Sequence, residues 1–383
     1  MSGALGIYIH WPFCLSKCPY CDFNSHVREG IDQDSWREAY LRSISYYAEK
    51  IPDRTVRSIF FGGGTPSLMP PETVGALISQ IQKNWRVSND VEITLEANPT
   101  SVEIDKFRDF QAAGVNRVSI GVQALNDNDL KFLGREHSAA EAKTAIETAR
   151  SVFDRYSFDL IYACPEQDLK SWEAELSDAH EFMDSHISLY QLTIERNTPF
   201  YISHAQGNFS IPDEVFGADF YHLTQDIMEG FGLPAYEVSN HARDGEESRH
   251  NMTYWTYDDY VGIGPGAHGR ITLDGQKYAT REHQAPDIWL EKTMTNGTAV
   301  HPSEALNAKD RVMEALMMGL RLRGGVSIAD LQAVSGEDVG FLDEEKIQTL
   351  KNEGWLKVQD GVLALTREGW LRLNAIIPYI LKD

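Results

Sequence analysis

The sequence predicts an α/β fold: a partial (β/α)6, TIM-like barrel followed by a C-terminal winged-helix-like α+β domain. Three observations carry this. Short apolar runs alternate with amphipathic stretches through the first 270 residues, the pattern of a parallel sheet with right-handed crossovers. The polar residues that stand out mostly follow those runs directly, on the rim where ligands sit in such sheets. From about residue 304 the alternation gives way to helices and one hairpin.

Taken in order, the predicted strands are LGIYIH (5–10), VRSIFF (56–61), VEITLE (91–96), RVSIGV (117–122), FDLIYA (158–163) and ISLYQL (187–192). Helices are expected near 34–50, 71–85, 101–113, 138–153 and 168–184. Six such units suit a barrel or partial barrel, with a doubly wound open sheet as the other topology. Residues 236–303 read as irregular connections around a Gly-rich stretch, VGIGPGAHG (261–269). Beyond them come helices near 307–321, 327–334 and 343–353, a hairpin WLKVQDGVLAL turning at Asp360-Gly361, and a last helix over 367–381. The expected organisation is therefore a barrel over 1–235, a connecting segment over 236–303 and a terminal module over 304–383.

Composition narrows the function. A net charge of −22 argues against non-specific nucleic-acid binding, because phosphates are repelled. The terminal module carries 10 Lys and Arg against 13 Asp and Glu, a net −3, so its wing is read as a lid or docking surface rather than a DNA reader. The start, MSGALGIYIHWPFC, lacks the pattern of a secretory signal, and no apolar run approaches membrane-spanning length. With four cysteines in 383 residues, a disulfide scaffold is not expected. A cytoplasmic location follows as the expectation, and there clustered cysteines serve metal or redox chemistry.

Three of those cysteines lie together in CLSKCPYCDF: Cys14, Cys18 and Cys21. Structural zinc takes four ligands, and His10 or His26 could complete such a set. A ferredoxin-type four-iron cluster takes four cysteines, and Cys164 is the remaining one, although it belongs to another strand end and reads equally as a small buried residue. Three thiolates on a four-iron cube leave one iron open to an exchangeable ligand.

CxxxCxxC after a first strand, with Tyr20 just before the last cysteine, resembles the radical S-adenosylmethionine (SAM) superfamily. The resemblance implies a [4Fe–4S] cluster held by Cys14, Cys18 and Cys21. Its open iron would chelate the amino and carboxylate groups of SAM, and the reduced cluster would cleave the sulfonium to methionine and a 5′-deoxyadenosyl radical. GGGTP (62–66), with Gly63, Gly64 and Thr65, is assigned by the same resemblance to the SAM amino group; taken alone, it reads equally as a tight strand–helix turn. Glu96, Gln123, Arg135 and Asp159 match SAM-contacting positions of the coproporphyrinogen dehydrogenase HemN. Carboxylates accept bonds from hydroxyls or ammonium, and Arg forks onto a carboxylate. Singly, each also reads as a rim charge or helix cap. Tyr8 matches a HemN tyrosine near the cluster, and its plain reading is a buried strand aromatic.

YIHWPFC, CPYCDFNSH, GGGTPS, RVSIGVQALN, DLIY and RHNMTYW together resemble the HemW branch, regarded as heme chaperones. Phe23 stands where HemN has a fourth cysteine, and only 13 residues precede Cys14, too few for the HemN N-terminal arm. The branch implies binding of a [4Fe–4S] cluster, SAM and heme, with delivery of heme to acceptor proteins. The alternative is oxygen-independent conversion of coproporphyrinogen III to protoporphyrinogen IX, and a third reading is a zinc-stabilised interaction module. HNMTYW (250–255) makes His250 the first candidate for a heme ligand, with His268 a weaker one. The plain reading has His250 and Asn251 bonding backbone while Trp255 fills core. The branch commonly has DLIYGLP where this chain has DLIYACP, so Ala163 and Cys164 replace Gly and Leu. A contact needing positive φ at that glycine would be weakened here. Nucleic-acid and integral-membrane partners are not expected; peripheral membrane association and a homodimer stay open.

Overall fold

The computed structural model describes residues 4–336 and 340–382. Six strands, β1 (Ala4–Trp11), β2 (Thr55–Gly63), β3 (Arg86–Ala97), β4 (Arg117–Gln123), β5 (Arg155–Tyr162) and β6 (His186–Gln191), pair in parallel in that order. The crossovers include α1 (Gln33–Lys50), α2 (Pro71–Asn84), α3 (Ala139–Val152) and α4 (Leu169–His180). Each of these strands and helices matches an expected one to within a few residues. The period-2 rule explains the layering. Leu5, Ile7, Ile9 and Trp11 of β1 enter the main core beside Trp36 and Tyr40 of α1. The intervening Gly6, Tyr8 and His10 face the inner side of the sheet, where Gly6 lies against Thr253 and Ser58.

The helix expected over 101–113 is broken into Ser101–Ile104 and Phe107–Ala112. A long helix that the apolar pattern did not reveal, α5 (Glu214–Gly230), packs against α4.

Residues 236–303 depart from the expected irregular connection. They supply β7 (Ala235–Glu237), β8 (Asn240–Ala242), β9 (Asp259–Ile263), β10 (His268–Leu273) and β11 (Gln276–Arg281), with α6 (Arg249–Trp255) and α7 (Pro286–Asn296) between them. With β12 (Glu304–Ala305), the sheet runs β12-β11-β10-β9-β1-β2-β3-β4-β5-β6-β8-β7. β9 is a seventh parallel strand on the free side of β1, pairing Ile7 with Val261. The Gly-rich stretch looked like a loop because its glycines hide the strand pattern. They are required by packing: a Cβ on Gly262 would collide with the His268 backbone, and one on Gly269 would press on Tyr260 O at 3.0 Å.

The terminal module comprises α8 (Ala308–Gly319), β13 (Val326–Ser327), α9 (Ile328–Ser335), α10 (Glu344–Asn352), β14 (Leu356–Gln359), β15 (Val362–Leu365) and α11 (Leu373–Tyr379). Asp360 and Gly361 both take positive φ (52° and 76°), the signature of a type I′ hairpin turn. The last helix is interrupted between Arg367–Trp370 and α11 rather than continuous. Leu316, Leu331, Leu363 and Ile376 build a second core that also takes in Tyr221 and Tyr257. Arg321 fastens the module to the sheet edge: it pairs with the buried carboxylate of Glu237 at 2.9 Å and lies over the Trp255 ring at 4.7 Å. Arg323 N–H donates to Tyr236 O at 2.9 Å beside it. Among the described residues, no helix is long and apolar enough to cross a membrane.

Candidate cofactor site

The cysteine loop leaves β1 at its C-terminal end and returns through a two-residue parallel pairing, Phe13 with His26 and Cys14 with Val27. The Gly62–Thr65 segment follows alongside. Gly64 N–H donates to Trp11 O at 2.7 Å and Thr65 N–H to Phe13 O at 2.8 Å, extending the β1–β2 contact past the strands. The glycines are needed for this approach: a Cβ on Gly64 would lie 2.6 Å from Phe13 O, and one on Gly63 2.6 Å from the His10 ring. Their first role is thus to seat the segment against the base of the cysteine loop. Cys14 is buried at that base, Cys18 and Cys21 are half-buried, and all four cysteines of the chain are free thiols. Cys21 N–H donates to Cys18 O at 3.1 Å, turning both side chains out of one tight bend. Burial pushes the Cys14 thiol up.

One cleft is lined by all three cysteines together with Phe23, Gly63, Gly64, Thr65, Glu96, Gln123, Arg135 and Asp159. These residues come from β2, β3, β4, β5 and the loops after β1 to β5, and only the fold brings them together. Glu96 accepts from Gly63 N–H at 3.2 Å. Its carboxyl is pushed up to about 8, by burial first and then by the negative charge of Asp159. Burial also pushes Asp159 up to about 6, against the pull of Ser188, Arg117 and Arg135. Glu96 and Asp159 thus share one cleft, with Asp159 also within reach of the Arg117 and Arg135 charges. Gln123 ends β4 with φ at 74°, an uncommon backbone for a non-glycine residue at a site rim.

Arg135 reaches the cleft from the turn after Leu130–Gly134. Its Nη2 donates to Asn98 Oδ1 at 2.7 Å and Gly121 O at 2.8 Å, while Nη1 lies 3.3 Å from Cys18 Sγ. Its Nε is buried without a hydrogen-bond partner. Asn98, not singled out from the sequence, also donates to Thr65 Oγ1 at 3.2 Å. Glu103 accepts from Asn98 N–H at 2.7 Å and fixes the loop. The only sequence signal for Asn98 was its place two residues past Glu96.

Tyr8 does not line the cleft. It stands behind it, half-buried, with its hydroxyl 3.0 Å from His10 Nδ1 and its ring stacked near Phe60. His10 Nε2 lies 3.0 Å from Asn24 O, so both ring nitrogens are engaged and neither is free to complete a zinc set. Phe23 is 60% exposed at the cleft rim.

His250 lies away from the cleft, on α6, and is 1% exposed. Its Nδ1 is 2.9 Å from Ser58 Oγ and its Nε2 2.7 Å from Tyr254 OH, while its backbone N–H donates to Glu92 at 3.1 Å. Burial holds its pKa down to about 3, so the ring is neutral. The HNMTYW segment is thus a helix set against the inner face of β1 and β2, and His250 offers no free ring nitrogen to iron. In this structure both ring nitrogens are bonded within the fold, as buried polar groups generally are. His268 is exposed on β10. At the substituted DLIYACP, Ala163 does take φ of 60° and Cys164 is fully buried.

The donor set fits an iron–sulfur cube with an open position. Among the described residues, no three Cys, His, Asp or Glu side chains are close enough to hold a single ion. The free thiols, the unpartnered Arg135 Nε and the two carboxyls beside them suit a cluster with a ligand carrying both ammonium and carboxylate.

Residues 8–179 match the radical SAM superfamily and residues 306–372 the HemN C-terminal domain. The chain is 36% identical to the heme chaperone HemW of Escherichia coli, over 99% of this chain and 98% of that one. It is also 36% identical to the mitochondrial radical S-adenosyl methionine domain-containing protein 1 of Danio rerio, over 98% and 87% respectively. The solved coproporphyrinogen III oxidase HemN of Escherichia coli superposes with a TM-score of 0.81 at 21% identity, covering 99% of this chain and 90% of that chain.

Proposed function

From a chain that belongs to the radical SAM superfamily, and within it to the proteins with a HemN C-terminal domain that include HemW, we propose a heme chaperone that holds a [4Fe–4S] cluster and SAM and passes heme to acceptor proteins. The observation that carries the reading is the meeting of three free thiols from one loop with Glu96, Gln123, Arg135 and Asp159 in one cleft. Cys14, Cys18 and Cys21 would ligate three irons. When bound, the cluster supplies an electron and an open iron for the amino acid end of SAM.

The chain's own groups do the positioning. Arg135, already oriented by Asn98 and Gly121, turns its guanidinium toward a carboxylate. Thr65 and the backbone of Gly63 and Gly64 sit beside Cys14 where an ammonium is received. Glu96 and Asp159 accept from ribose hydroxyls, and Gln123 offers an amide at the rim. Tyr8 backs the floor, and Phe23 shields the mouth of the cleft from water. The described residues up to 235 form the cofactor barrel, 236–305 complete its sheet, and the described residues from 308 act as a lid fastened through Arg321. Heme is cargo, held without an axial bond from His250 in the conformation seen here.

Anaerobic reconstitution tests the reading: about four irons and four sulfides per chain are expected, with a spectral change on adding SAM. Zinc uptake without visible absorbance would overturn it. Added heme should give a Soret band and move to an acceptor hemoprotein. Turnover of coproporphyrinogen III by the reduced protein would favour the dehydrogenase instead.

A further inference from the structure

The cysteine turn is braced from outside the cleft by a segment that neither the motifs nor the comparisons single out. After β6 the chain runs into a short helix, Pro199–Ala205, capped by the Thr198 hydroxyl. Phe200 N–H donates to Pro19 O at 3.0 Å, a backbone bond between the helix and the Cys18–Cys21 turn. The Phe200 ring, 6% exposed, lies 6.2 Å from the Tyr20 ring, 4.8 Å from Phe132 and 5.1 Å from Phe209. These residues belong to a small apolar cluster, separate from the main core, that also contains Leu133 and Cys164. From the other side, Gly134 at φ 70° presses on Pro19, where a Cβ would come within 2.6 Å of Pro19 Cδ. The Pro19–Tyr20 dipeptide is therefore gripped between the turn that carries Arg135 and the helix that carries Phe200.

We propose that Phe200 is a positioning residue for the cysteine loop: it fixes Pro19 and Tyr20 so that Cys18 and Cys21 stay aimed into the cleft beside Cys14. The assignment rests on the cofactor reading above but acts on the metal-free chain. Cys14 needs no such help, because its strand pairing and the Gly64–Thr65 bonds hold it. Cys18 and Cys21 have no strand around them, and without the brace their thiols would sample orientations that a rigid cube cannot bridge.

The test is thiol alkylation of the metal-free protein, read at each cysteine by mass spectrometry. In Phe200→Ala, Cys18 and Cys21 should alkylate about threefold faster or more while Cys14 keeps its rate, since reactivity follows local opening. Phe200→Leu keeps the apolar volume without the ring contact and should fall between; it also serves where the alanine variant does not fold. Tyr201→Ala, on the exposed side of the same helix, should match the wild type. Unchanged rates at Cys18 and Cys21, or equal acceleration at Cys14, would overturn the proposal. Failure of the wild-type protein to take up iron would sink the cofactor reading, yet the alkylation pattern would still decide the role of Phe200.

Discussion

Glu96 on β3 and Asp159 on β5 share one cleft floor, and the charge of Asp159 adds to burial in raising the Glu96 carboxyl to about 8. An unfolded glutamate ionises near 4.5, so the folded chain binds the extra proton between these values. Stability of the ligand-free protein is therefore greatest below the unfolded value and falls as pH rises through 8. Glu96→Gln retains an acceptor for Gly63 N–H and removes the titration. Thermal melts of the metal-free protein should show the variant more stable than wild type at pH 8.5, with the gap closing towards pH 5. The same variant should bind SAM less tightly once reconstituted. Parallel pH slopes for the two proteins would show that Glu96 is not held neutral.

Ala163 holds a left-handed backbone, φ 60°, in the turn after β5, with its N–H donating to Gln167 Oε1 at 2.6 Å. A side chain there costs about 1–2 kcal/mol, and glycine gives back roughly 0.5–1 kcal/mol through the unfolded chain. Ala163→Gly should therefore stabilise the protein by about 0.5–1 kcal/mol, a rise in midpoint visible in denaturant titration. A loss of stability would mean that the Ala163 methyl group packs for more than its strain costs.

Arg321 is the countercharge for Glu237, whose side chain is 0% exposed. Arg321→Ala leaves a carboxylate buried beside Asn240 and Tyr236 and should cost about 3 kcal/mol. The double variant Arg321→Ala, Glu237→Gln should recover part of that loss. Limited proteolysis should cut between the sheet and the terminal module faster in the single variant. Identical cleavage rates would remove Arg321 from the role of fastener.

His250 ties Ser58 to Tyr254 under the inner face of the sheet. His250→Ala should destabilise the protein by about 2 kcal/mol through two lost bonds. If heme binds with α6 seated as it is here, both ring nitrogens stay bonded to Ser58 and Tyr254, and the Soret maximum should match the wild type. A shifted maximum in the variant would restore His250 as an axial ligand and require α6 to leave its seat.

By itself, the sequence determined what depends on neighbours along the chain. Period-2 apolar runs place β1 to β6 within a few residues, and Asp360-Gly361 names its own turn. The spacing of Cys14, Cys18 and Cys21, with a strand before them, carries the resemblance to the radical SAM superfamily, because residue spacing within one loop is a local property. Tertiary structure alone decided whatever depends on residues far apart meeting. It made β9 a seventh parallel strand, since pairing with β1 spans some 250 residues and its glycines mask the pattern. It turned HNMTYW into a helix whose histidine spends both nitrogens on Ser58 and Tyr254, which no motif reveals. It set Glu96 near Asp159 and Phe200 against Pro19. Local spacing singles out the three cysteines; long-range packing sets the burial of the groups around them.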